Sequence, residues 1–191
     1  GGNAAGRGLL ESMNDSLRHR GPDDAGVYAS PCGSAYLAQR RLSILDLSSL
    51  GHQPMGFGGV WMTFNGEVYN YRELRAELEG FPFRSASDTE VILAAYLKWG
   101  EACLDKLYGM FALLIWDERN RTLFGARDRF GVKPMLYHRA GTDLFVASEV
   151  KALHAAGVRA EPDEHAWADY LARGYHDHSE ATFWKGIRSV P

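Results

Sequence analysis

The feature that most constrains this chain is a succession of strand-like runs at residues 110–116, 122–126, 135–139 and 144–147, joined by short polar or glycine-containing connections. Strands joined so closely can only return alongside one another, so an antiparallel meander is expected. The first run is apolar almost throughout, which predicts cover on both of its faces. Helical periodicity lies outside this block. Leu9, Leu10, Met13 and Leu17 share one helix face, and helices are predicted at 71–79, 91–99, 101–107, 151–156 and 164–173. The glycine-rich residues 1–8 are not expected to order by themselves. Strands at 27–29 and 35–38 flank the turn residues Pro31-Cys32-Gly33-Ser34, a hairpin signal. Helices early, in the middle and at the end, with antiparallel strands between, predict an α+β sandwich rather than a βαβ series.

Composition removes several function classes. With 191 residues the chain can bury a sizeable core, and its net charge of −3, with both signs interspersed, argues against nucleic-acid or membrane-surface partners. No apolar run approaches the roughly 18 residues needed to span a bilayer. Cys32 and Cys103 are isolated and fit reduced thiols of a cytoplasmic protein, and the seven histidines show no metal-ligand spacing.

The chemistry-bearing stretch begins at Trp61. An apolar, β-favouring run meets Asn65-Gly66, the dipeptide best suited to a tight turn with positive φ. Asn70 is then placed to cap the 71–79 helix, with Glu73 at the third helical position for a reciprocal bond and Gly80 as the stop. A strand, a sharp turn and a helix in that order expose a carboxamide and a bare N–H, which suits stabilisation of a developing oxyanion. Ser87-Asp88-Thr89-Glu90 reads as a second capping box opening the 91–99 helix. Residues 48–59, rich in Gly, Ser and Pro, read as a loop long enough to form a working surface. Just before it, alternation lets Arg41 face away from the core side.

Several runs together resemble the N-terminal glutaminase domain of glutamine-dependent asparagine synthetases, a class II glutamine amidotransferase of the N-terminal-nucleophile hydrolase superfamily. They are His19-Arg20-Gly21-Pro22-Asp23-Asp24, Arg40-Arg41-Leu42-Ser43-Ile44-Leu45-Asp46, Gly51-His52-Gln53-Pro54-Met55 and Phe64-Asn65-Gly66-Glu67-Val68-Tyr69-Asn70. They continue with Ser87-Asp88-Thr89-Glu90, Arg127-Asp128-Arg129-Phe130-Gly131-Val132-Lys133-Pro134 and Ala147-Ser148-Glu149-Val150-Lys151-Ala152-Leu153. Their order and spacing match the family from about Leu9 to Pro191.

The resemblance implies a four-layer α-β-β-α sandwich with antiparallel sheets and a single amidotransferase domain over residues 1–191. It implies hydrolysis of L-glutamine to glutamate and ammonia, for transfer to an ATP-activated acceptor carboxylate, aspartate becoming asparagine. By the same mapping Arg41 grips the substrate α-carboxylate, a bidentate task suited to guanidinium. Asp88 holds the α-ammonium, Asn65 and Gly66 form the oxyanion hole, and Glu67 with Leu42, Ser43, Ile44 and Leu45 completes the glutamine pocket. His19 is not the base; its loop shapes the site. The domain itself is expected to need no metal or cofactor, ATP and Mg²⁺ belonging to a C-terminal synthetase domain of the same polypeptide. A homodimer is compatible with the family.

One departure stands out. The family nucleophile is a cysteine at the mature N-terminus, opening a core strand, whereas this chain begins Gly1-Gly2-Asn3. Cys32 and Cys103 are internal and carry no free α-amine beside their thiols, so the nucleophile and its strand are expected ahead of Gly1. The alternative is a non-catalytic amidotransferase-like domain that supports a synthetase, as in β-lactam synthetase-like relatives.

Overall fold

The computed structural model describes residues 2–42 and 48–191. Its helices are α1 (Gly2–Ser16), α2 (Tyr71–Glu77), α3 (Asp88–Trp99), α4 (Val150–Ala155) and α5 (Glu164–Arg173). Strands β1 (Asp24–Ala29) and β2 (Tyr36–Arg41) form a hairpin. Strands β3 (Met55–Phe57), β4 (Val60–Val68), β5 (Gly109–Asp117) and β6 (Thr122–Arg127) form an antiparallel sheet in that order. Strands β7 (Leu136–Ala140), β8 (Asp143–Ala147) and β9 (Ile187–Ser189) form another, with β7 in the centre.

Side-chain alternation sorts these elements into layers. One face of the β3–β6 sheet carries Met62, Phe64, Leu113 and Ile115, packed against Leu74 of α2 and Val91 and Ile92 of α3. The other face carries Trp61, Leu114 and Trp116, against Tyr28, Ala35 and Leu37 of the hairpin. Beyond the β7–β9 sheet, Met13 of α1 and Ala152 and Leu153 of α4 pack with Leu136, Phe145 and Ile187. The order is helix, sheet, sheet, helix, as the family resemblance implied. Strand β5 is buried on both faces because it lies between two clusters.

Several local expectations fail for tertiary reasons. Helix α1 starts at Gly2 rather than near Leu9. Gly6 lies directly against the Tyr36 ring, at 2.6 Å from where a Cβ would sit, so close packing on β2 offsets the poor helix propensity of glycine. Asn65-Gly66 is not a turn: β4 runs through it, Gly66 pairing with Phe111. Asn70 does not cap α2. Its carboxamide donates to Lys106 O (2.9 Å) and accepts from Tyr108 N–H (3.0 Å), stitching α2 to the start of β5. Only half of the second capping box forms, Ser87 Oγ accepting from Glu90 N–H at 3.3 Å. The buried Glu90 carboxylate instead accepts from the N–H groups of Arg84 and Ser85. The 48–59 loop contains β3, and residues Gly100–Lys106 are a 3₁₀ segment.

The expected four-strand meander is divided between two sheets. The break is the 128–134 loop, held by Asp128, whose carboxylate accepts N–H bonds from Phe111 (3.2 Å), Phe130 (3.2 Å), Val132 (3.0 Å) and Lys133 (3.0 Å). Burial pushes this carboxyl up, but the N–H groups outweigh burial and hold it below the ordinary aspartate range. Its stabilising contribution is therefore present above the ordinary aspartate pKa and is lost as pH falls through the lowered folded value. Asp128→Asn is expected to cost about 1.5–3 kcal/mol at neutral pH, read as a lower urea midpoint at unchanged slope. The gap between variant and parent should close in acid. An equal gap at every pH would show that Asp128 acts by packing alone.

Candidate active site

A cavity of about 540 Å³ opens between the two sheets. Its walls include Tyr36 to Arg41 of β2, Thr63 to Glu67 of β4, Ser87 to Thr89 at the start of α3, and Val146 and Ala147 of β8. Among the described residues, strand β2 pairs only with β1 and β8 only with β7, so the cavity runs beside two sheet edges.

The β4 wall also has a free edge, because β3 covers it only as far as the Met55↔Met62 pair. Off this edge the Phe64 N–H donates to Gln53 Oε1 at 2.7 Å and the Val68 N–H to Asp88 Oδ2 at 3.0 Å. Strand alternation points the Gly66 N–H off the same edge, midway between them. Gly66 has φ of +153°, and a side chain there would collide with the Met110 carbonyl and the Phe111 backbone, so glycine is required. Beside it, Asn65 Nδ2 is buried without a hydrogen-bond partner. Buried amides are nearly always paired, so an orphaned donor lining a cavity calls for a ligand atom.

Asp88 is buried and lines the same cavity. Its Oδ1 accepts the Thr89 N–H at 2.8 Å, in addition to the Val68 bond. Burial is the largest influence on this carboxyl and, with the charge of Glu67, raises it above the ordinary range against those bonds. Arg41 is half-buried at the end of β2. Its guanidinium lies against Gly51, where a side chain would collide with it, and donates to Ser48 O at 3.4 Å. Leu42 is exposed at the rim, and Glu67 is a half-buried wall residue. Thus Arg41, Leu42, Asn65, Gly66, Glu67 and Asp88 border one cavity, whereas Ser43, Ile44 and Leu45 lie outside the described residues.

Other residues at the cavity were given no binding or catalytic role by the sequence, although all but Gln39 lie in the runs that carry the resemblance. Gln39 and Gln53 reach β4 from two different segments. At another rim, Glu149 contacts His19 Nε2 (2.9 Å), Arg20 Nη1 (2.8 Å) and Lys151 Nζ (3.2 Å). Burial pushes Glu149 up, but the hydrogen bonds from Arg20, His19 and Lys151 prevail and bring it down to about 2. His19 is thereby tied to a structural carboxylate. Cys103 is buried and pushed up to about 11 by that burial, and Cys32 sits exposed in the hairpin turn away from the cavity wall.

A family model described as a glutamine amidotransferase domain matches residues 2–191. The chain belongs to that family. It is 43% identical over 169 residues to asparagine synthetase [glutamine-hydrolyzing] 1 of Bacillus subtilis, covering 86% of this chain and 26% of the relative. It is 37% identical over 188 residues to asparagine synthetase [glutamine-hydrolyzing] 3 of the same organism, covering 95% and 30%. Among solved structures it resembles glutamine phosphoribosylpyrophosphate amidotransferase from B. subtilis, with TM-score 0.65, 25% identity, and coverage of 78% of this chain and 40% of that one. This glutamine amidotransferase domain therefore has the α+β N-terminal-nucleophile fold and spans under a third of the length of those asparagine synthetases. None of its described helices is long and apolar enough to cross a membrane.

Proposed function

We propose that this domain hydrolyses the side-chain amide of L-glutamine to glutamate and ammonia, as the glutaminase half of an asparagine-synthetase-like protein. The observation that carries the proposal is the buried, partnerless Asn65 Nδ2 beside the exposed edge at Gly66. These donors suit the oxyanion formed when a nucleophile attacks an amide carbonyl. Asp88 and Arg41, on other walls, suit the α-ammonium and α-carboxylate. The clamp at one end and the donors at the other select an amino acid with an amide at the far end of its side chain.

In this reading the nucleophile is the thiol of a cysteine ahead of Gly1, on a strand seated along the free edges of β2 and β8. Its own α-amine takes the thiol proton. The sulfur attacks the amide carbon, and the tetrahedral oxyanion rests on Asn65 Nδ2 and Gly66 N–H. Collapse breaks the C–N bond as the ammonium form of that amine returns its proton to the leaving nitrogen, releasing ammonia and a thioester. Water attacks the thioester through a second such oxyanion and frees glutamate and the thiol.

The ammonia acceptor is proposed to be an ATP-activated aspartate, with ATP and Mg²⁺ handled by a C-terminal synthetase domain of the same polypeptide. The names and lengths of the relatives support this. The free, unpaired cysteines accord with a cytoplasmic protein. A purely structural role is not favoured, since those relatives are named as glutamine-hydrolysing.

The test is release of glutamate and ammonia from glutamine by the polypeptide made from its natural start. Arg41→Lys, which keeps the charge but loses the planar fork, should raise KM roughly tenfold with little change in kcat. Absence of turnover in the processed parent protein, with folding intact, would overturn the glutaminase reading.

A further inference from the structure

The peptide groups flanking the oxyanion donors are held by two glutamine side chains, Gln39 and, within the Gly51–Met55 run, Gln53, to which the sequence analysis assigns no role. On the free edge of β4, the Phe64 N–H donates to Gln53 Oε1 at 2.7 Å, and the Phe64 carbonyl accepts from Gln39 Nε2 at 2.9 Å. That carbonyl belongs to the same peptide plane as the N–H of Asn65. Fixing it fixes the direction in which the Asn65 side chain leaves the strand and the entry of the chain into Gly66. Gln53 is buried, and its Nε2 donates onward to Thr89 Oγ1 at 3.3 Å, beside Asp88. One amide therefore joins the strand bearing the oxyanion donors to the helix start bearing the buried carboxylate.

The edge geometry explains why side chains do this work. Past Met62, no strand among the described residues lies beside β4 on that side, so without these side chains the buried Phe64 N–H and C=O would lack partners there. A neighbouring strand would satisfy them, but it would also cover Gly66. Two amides satisfy residue 64 alone and leave the next rung of the edge open. A glutamine amide supplies donor and acceptor without charge, so it can bridge Phe64 and Thr89 in a buried place where a carboxylate would add a charge near Asp88.

We infer that Gln53 and Gln39 are positioning residues for amide hydrolysis: by clamping both polar groups of Phe64 they aim Asn65 Nδ2 and the Gly66 N–H at the developing oxyanion. The inference rests on the glutaminase reading of the cavity. A side-chain clamp of this kind acts mainly on the chemical step, because it touches neither Arg41 nor a substrate group and meets the helix start beside Asp88 only through the Thr89 hydroxyl.

The experiment is a double-mutant cycle on the full polypeptide made from its natural start, with glutamine turnover, glutamate affinity and thermal midpoint measured for each variant. Gln53→Met, which keeps length and removes both hydrogen bonds, should lower kcat on the order of 100-fold, the cost of roughly 1 Å of misplacement. KM and glutamate affinity should stay near the parent values. In an Asn65→Ala background the same substitution should cost markedly less, since one of the two donors it aims is gone and only the Gly66 N–H remains to be misplaced. Equal losses in both backgrounds would show that Gln53 acts on stability or on another group, and would overturn the inference. A silent Gln53→Met beside a damaging Asn65→Ala overturns it alone, whereas absence of glutamine turnover in the folded parent overturns the glutaminase reading beneath it. If Gln53→Met does not fold, Gln39→Met, at a half-buried position, carries the same cycle with the same expectations.

Discussion

Asn65→Ala is expected to lower kcat for glutamine hydrolysis by about 10²–10³-fold, equivalent to about 2.7–4 kcal/mol of transition-state stabilisation. The expectation follows from what Asn65 Nδ2 lacks. It is buried, lines the cavity and has no acceptor, so its hydrogen bond is made only when something arrives. The amide oxygen of bound substrate is a weaker acceptor than the oxyanion that replaces it, so most of the gain appears in the transition state. KM should accordingly move little. Removing the carboxamide also relieves an unpaired buried polar group, so the variant should be as stable as the parent or slightly more so. Turnover lost with the thermal midpoint preserved separates this from a folding defect. Asn65→Asp should be no better than alanine, since an ionised carboxylate offers no donor to an oxyanion and repels it. A kcat unchanged in Asn65→Ala would mean that another group faces the oxyanion.

How far the molecule could be read from its residues depended on the range of the interactions that decide each element. Helix α5 was read with its observed bounds, because its signals are local: Asp163 caps the N–H groups of His165 and Ala166, and Gly174 ends the helix at φ +75°. Gly66 was misread because its role is non-local. The same Asn-Gly pair that favours a turn is drawn into a nine-residue strand by its register with β5. The break between β6 and β7 was invisible for the same reason, since Asp128 gathers N–H groups from Phe111 as well as from its own loop. At the site, Arg41, Asn65, Gly66 and Asp88 were nameable because they sit inside recognisable runs. Their sharing of one cavity, and the clamp of Gln39 and Gln53, depend on packing between segments that no local pattern records.

Asp88→Asn is expected to weaken glutamine use by roughly 10–150-fold in KM, matching about 1.5–3 kcal/mol for a hydrogen bond to a charged group. Asparagine keeps the size and one acceptor, so Val68 and Thr89 need not both be abandoned, and the change isolates the charge. The pH dependence gives the sharper result. Burial, with Glu67 adding to it, raises the carboxyl above the ordinary aspartate range. The α-ammonium is held by the ionised form, so kcat/KM should fall with acidification through that raised value, earlier than an exposed aspartate would allow. Stability runs the other way. Between the ordinary and the raised pKa the folded state binds more protons than the unfolded state, so lowering the pH across this window adds to stability. The parent protein should therefore lose affinity for glutamine while its Asp88-linked stability increases, and Asp88→Asn should remove both trends. A parent profile in which affinity and stability fall together, and which the asparagine variant reproduces, would assign the acid limb to another group, with Glu67 on the same wall the first to examine.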